Sequence, residues 1–291
     1  MPSDFEAQVR AANDKINART GRPLFRAIVV GLTLGVALLG SLLFVKALFM
    51  VFAGALVGFT AWELASALRF AGRRVPRIPA LVAALAVVPA AYFGLAVGHW
   101  IATLAGIALI VVWRLVELVR PAARTSGRGV VLDLGAGVFI IIYIAFMAGF
   151  TVLLTAQDGG QWWTLSFLIV VVCVDIGAYA TGLTFGKHPM APTISPKKTW
   201  EGFAGSVAAA MLAGVLTAIL MLGQPWWVGM ILGGVLVLTA TAGDLAESLI
   251  KRDLGIKDIS TWLPGHGGFL DRVDSSLLSA AAAYALFLIF A

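Results

Sequence analysis

Apolar runs of about 20 residues, the length that crosses the hydrocarbon core of a bilayer as a helix, follow one another along the chain. They cover roughly residues 24–43, 47–68, 79–97, 100–119, 131–154, 162–182, 202–223, 226–249 and 272–291. Lipid offers no partner to backbone N–H and C=O groups, so runs of this kind must be helices. Only 12% of the 291 residues are charged, against about 25% in a soluble domain. The expected fold is all-α: a polytopic integral membrane protein of about nine transmembrane helices. Residues 23–291 then form a single transmembrane domain. The breaks at Lys46 and at Gly98-His99 are faint, so eight spans is the alternative count.

Charge orients the chain. Placing the N-terminus in the cytoplasm puts 20 of the 21 Lys and Arg residues in the N-terminal segment, in the second, fourth, sixth and eighth loops, or at their span ends. Only Lys46 falls on the other side. Cytoplasmic loops carry such an excess, so the net charge of +6 is explained by orientation in a membrane, and nucleic acid is not expected as a partner. Residues 1–22 open with Ser3 and Glu6 at capping-box spacing and place Phe5, Val9, Ala12 and Ile16 on one face. They admit either an amphipathic interfacial helix or a solvated terminus. The N-terminus has no signal-peptide pattern and is expected to be retained, and the single Cys173 excludes an intrachain disulfide.

Two polar segments interrupt the apolar pattern, and both fall on the cytoplasmic side of this topology. The first, 175–202, starts with Asp175 about two turns inside its helix, where a carboxylate is costly unless it faces water or a cation. It continues into a loop with Lys187, His188, Lys197 and Lys198 beside Gly182 and Gly186, a set suited to a polyanion. The blander reading is a basic loop resting at anionic headgroups. Gly182 to Lys187 lacks Walker A spacing and has His188 where Ser or Thr is required.

The second segment, 244–274, puts Asp244, Glu247, Ser248 and Lys251 on one helical face. Asp271 and Asp274 then share a face at the start of the last helix. Carboxylates from two helices among lysines and arginines suggest hard-cation ligands with phosphate clamps, although Asp271 and Asp274 could serve only the helix dipole. His266 has no second His or Cys at zinc spacing, which favours phosphate binding or loop ordering. Glu63, beside Trp62, reads as a packing or interface residue and not a catalytic one.

These residues resemble the signature of the phosphatidate cytidylyltransferases, or CDP-diacylglycerol synthases. Ser248, Lys251-Arg252, Lys257-Asp258, His266-Gly267-Gly268 and Asp271-Arg272 with Asp274 fill its fixed positions. Asp175, Ala178-Tyr179, Phe185-Gly186-Lys187, Ser195-Pro196 and Lys198-Thr199 match a second conserved region. Ile176 and Leu183 depart from it. The resemblance covers roughly the C-terminal half.

It implies a nucleotidyltransferase: CTP and phosphatidate give CDP-diacylglycerol and pyrophosphate, with Mg²⁺ as cofactor and a second, monovalent cation allowed. On this reading Asp244 and Asp271 hold metal, with Asp175 and Asp274 in support. Lys197, Lys198, Lys251, Arg252, Lys257 and Arg272 divide the phosphates, with Asp244, Asp271, Lys251 and Arg272 forming the catalytic set. Lys187, Ser195, His266, Gly267 and Gly268 join the nucleotide site. CTP, phosphatidate and membrane lipids are the partners, a homodimer is allowed, and the expected location is the cell membrane with the site facing the cytoplasm. The alternatives are a CTP-dependent polyprenol kinase and an ion-coupled secondary transporter. The charged features sit in one half and at one face, which weighs against the transporter.

Overall fold

The structure, a computed structural model, describes residues 24–260, 262 and 267–291. The expected interfacial helix in residues 1–22 lies outside the described residues. Helices α1 (Leu24–Phe44), α2 (Lys46–Phe70), α3 (Arg77–Glu117) and α4 (Gly127–Ala156, with a π-helical stretch at Ile141–Phe146) form the first half. Helices α5 (Gly160–Phe185), α6 (Trp200–Leu220), α7 (Trp226–Asp253) and α8 (Leu270–Phe290) form the second. Among the described residues, seven helices, α2 to α8, are long and apolar enough to cross a membrane. The chain is an integral membrane protein.

At 41 residues α3 would be about 60 Å long if straight, twice the thickness of a bilayer core. It folds back instead. Leu95 breaks it with a left-handed φ of 49°, and the two halves pack so closely that a Cβ on Gly106 would lie 3.1 Å from that of Ala83. The buried carboxylate of Asp133 joins the two ends: it accepts a hydrogen bond from the backbone N–H of Arg74 (2.9 Å) and a second from Arg114 (2.8 Å). The apolar runs at 79–97 and 100–119 are therefore the two arms of this hairpin, with the break three residues before Gly98.

In the second half α6 packs on α5 and α7, and α8 packs on α7. Small residues set the spacing where it matters for the polar segments. A Cβ on Gly243 would stand 2.5 Å from the carbonyl oxygen of Asp274, so α7 and α8 touch backbone to backbone beside Asp244. One element departs from an all-α chain. Within the sixth loop, Pro189–Ala191 (β1) and Ser195–Thr199 (β2) form a two-stranded antiparallel hairpin. Pro189, Pro192 and Pro196 prevent a helix there.

Candidate active site

The face predicted on α7 forms as the spacing requires. Lys251 Nζ lies 2.5 Å from Glu247 Oε2, one turn back, and 2.9 Å from Asp271 Oδ1 on α8. Glu247 is only 1% exposed, and its second oxygen, Oε1, has no hydrogen-bond partner among the described residues. A buried carboxylate is tolerated when an opposite charge accompanies it, and here a single lysine serves two acids.

The hairpin supplies the second ion pair. Lys198, on β2, reaches Asp244 Oδ2 at 2.5 Å, so the two polar segments meet. The Thr199 hydroxyl accepts from Gly202 N (3.1 Å) and caps α6, a role preferred by threonine. Glu201, in the first turn of α6, accepts the backbone N–H groups of Lys187 and His188 and contacts His188 Nδ1. Arg252 Nε donates to Ile194 O (3.2 Å). Both ends of the hairpin are thereby fastened to helices.

At the start of α8, Asp271 Oδ2 accepts from Gly268 N at 2.7 Å while Oδ1 faces Lys251. A third carboxylate holds the same turn from behind. Glu63, on α2, accepts from Ser260 Oγ (2.5 Å), Phe269 N (3.0 Å) and Leu270 N (3.1 Å). No local sequence signal points to these contacts, because the partners are about 200 residues apart in the chain.

A cavity of about 520 Å³ opens between α5, α6, α7, α8 and the hairpin, within the usual range for a small-molecule site. Of the residues singled out from sequence, Asp175, Lys197, Lys198, Asp244, Lys251, Asp271, Arg272 and Asp274 line it. Lys187, Ser195, Arg252, Lys257, Gly267 and Gly268 do not. Arg252 turns to the hairpin, Lys187 meets Glu201 through its backbone, and Gly268 serves the turn before Asp271. His266 lies outside the described residues. Glu247, on the predicted α7 face, and Asp258, beside Lys257 in the signature, also line the cavity, although neither is expected from sequence to bind metal or phosphate.

A second, apolar cavity of about 620 Å³ is lined mainly by α1, α2, α4, α5 and α8. Arg272 lines both cavities.

Among the described residues, no three His, Cys, Asp or Glu side chains converge closely enough to form a metal cage. A cage is not what Mg²⁺ ordinarily requires, since one or two carboxylates and substrate phosphates suffice. The donors are hard carboxylate oxygens on facing helices, and the unpartnered Glu247 Oε1 is a buried acceptor beside them. The donor set fits a hard divalent cation bound together with phosphate.

A family model for the cytidylyltransferase family matches residues 25–290. The chain is 41% identical over 274 residues to a phosphatidate cytidylyltransferase of Mycobacterium bovis, covering 92% of this chain and 89% of the relative. A phosphatidate cytidylyltransferase of Mycobacterium leprae is 39% identical over 280 residues, 94% of this chain and 90% of the relative. One from Brucella suis is 42% identical over 167 residues, 57% of this chain and 60% of the relative.

Proposed function

Because the chain belongs to the phosphatidate cytidylyltransferase family, we propose that it transfers the cytidylyl group of CTP to phosphatidate at the cytoplasmic face of the cell membrane. The observation that carries this is the meeting of the two polar segments around one cavity, closed by the Lys198–Asp244 and Lys251–Asp271 pairs.

In the proposed reaction an oxygen of the phosphatidate phosphate attacks the α-phosphorus of CTP. A new P–O bond forms, the bond to the β-phosphate bridge breaks, and the electron pair leaves on pyrophosphate. The nucleophile is already anionic, since a phosphate monoester has a second pKa of about 6, so no protein base is needed. What the protein must supply is position and positive charge. Lys197, Lys198, Lys251 and Arg272 supply the charge, and all of them line the cavity.

Bound Mg²⁺ would neutralise phosphate oxygens, with Asp244 and Asp271 as ligands and Asp175 and Asp274 in support. Arg272, lining both cavities, would receive the lipid phosphate while an acyl chain occupies the apolar one. Arg252 and Lys257 would act outside the cavity.

The proposed topology has nine spans with the N-terminus in the cytoplasm. It takes α1 as a span and α3 as two, and the distribution of Lys and Arg supports it.

Purified protein in detergent, given phosphatidate and Mg²⁺, should move label into lipid from CTP labelled at the α-phosphate and not at the γ-phosphate. Asp271→Asn should abolish the transfer. Label arriving from the γ-phosphate would make the protein a lipid kinase, and full activity in Asp271→Asn would remove the proposed site.

A further inference from the structure

The proposed chemistry leaves unused the most buried acid outside the cavity among the described residues. Glu63 is 2% exposed, lies near the end of α2, and is not part of either polar segment. Its two oxygens accept from Ser260 Oγ, Phe269 N and Leu270 N. The first N–H groups of a helix have no intrahelical acceptor and carry its positive dipole end, so Glu63 completes the N-terminus of α8 from another helix.

Aromatic packing adds to the same grip. Phe59, one turn earlier on α2, stacks on Phe269 with centroids 4.7 Å apart and meets Trp262 edge-on at 6.0 Å. A Cβ on Gly268 would stand 2.9 Å from Glu63 Oε2 and 3.1 Å from Asp271 Oδ2. Gly268 is therefore the spacer that lets two carboxylates approach one turn from opposite sides. Phe269 and Leu270, held by Glu63, immediately precede Asp271 and Arg272, which line the cavity.

We propose that Glu63 is a positioning residue: it fixes the turn at 268–270 from behind and thereby sets where Asp271 and Arg272 stand in the cavity. It touches neither substrate. The inference uses the proposed cytidylyl transfer for its kinetic readout but not for its structural one. A displacement near 1 Å at a reacting centre can cost about 100-fold in rate, so the expected signature is a loss in kcat.

The test combines amide hydrogen exchange, read by mass spectrometry, with steady-state kinetics on the full-length protein in detergent. First-turn amides ordinarily exchange freely, so protection at Phe269 and Leu270 reports the Glu63 contacts directly, whether or not the protein transfers cytidylyl groups. Glu63→Gln keeps one carbonyl acceptor and turns an NH2 donor toward the other N–H, so it is expected to raise exchange about tenfold or more at one of these two amides at least, with exchange in the rest of α2 and α8 unchanged. It should lower kcat about tenfold or more, leaving KM for both substrates within about threefold. Glu63→Asp should recover part of kcat. Ser260→Ala, which removes one donor, should act in the same direction and more weakly.

Unprotected Phe269 and Leu270 amides in the wild type would overturn the proposal. Loss of their protection with kcat unchanged would do the same. If Glu63→Gln instead loosened α2 and α8 throughout, and Ser260→Ala left kcat untouched, Glu63 would be a packing residue only. Wild-type protection without any cytidylyl transfer would leave the clamp standing and sink the activity.

Discussion

Lys251 stands between Glu247 and Asp271, and both carboxylates depend on it for charge compensation. Lys251→Met should abolish activity and also destabilise the protein by about 3 kcal/mol, because it leaves two buried acids unpaired. Adding Glu247→Gln should restore much of the stability but none of the activity, which thermal unfolding and label transfer on the double variant would separate. The α7 face carrying these residues was legible in the sequence, because Asp244, Glu247 and Lys251 recur at helical spacing within one element. The partners across elements were not. The pairing of Lys198 with Asp244 links the hairpin to α7, and Glu63 finds its donors about 200 residues downstream. Periodicity carries no information about such contacts.

The hairpin and the α7–α8 contact show how elements present those residues. Arg252 belongs to the family-like signature, which implies phosphate binding, yet its Nε donates to the backbone of Ile194 outside the cavity. If fastening is its role, Arg252→Lys should fare no better than Arg252→Ala. Each should raise KM for CTP several-fold, the equivalent of about 1 kcal/mol for one lost hydrogen bond, with kcat little changed. Recovery of wild-type KM by the lysine variant would return Arg252 to the phosphate set. The α7–α8 contact gives a sharper outcome. Gly243→Ala would drive its Cβ into the Asp274 carbonyl at 2.5 Å and push apart the two helices that carry Asp244 and Asp271. Overpacking of this kind costs about 1–3 kcal/mol, and activity should fall further than stability, since the displacement lies beside the cavity. A fully active Gly243→Ala would show that α7 and α8 can separate without harm. The hairpin itself is not legible in the sequence, because three prolines and two glycines mark a loop equally well.

For the whole molecule, the apolar runs in the sequence anticipated the helices closely, and the one merged helix is explained by its contacts. Asp133 binds both Arg74 and Arg114, so the loops at 71–76 and 118–126 lie at the same end, which is possible only if α3 turns back at Leu95. The opposite end has its own contact, Lys46 Nζ to Gln157 O at 2.9 Å, which joins the first loop to the fifth. In the proposed nine-span topology the loops joined at each end are separated by an even number of spans, and the arginine-rich loops form one group. Replacing Cys173, the single native cysteine, provides a background for new cysteines at Arg73, Ser126 and Met190, and at Asp158 and Gly223. A membrane-impermeant thiol reagent applied to sealed inside-out vesicles should label the first three positions and spare the last two. Opposite labelling of positions 73 and 126 would show that α3 does not fold back. Uniform reversal, with only 158 and 223 labelled, would keep the fold but move the cavity to the outer face, where cytoplasmic CTP could not reach it.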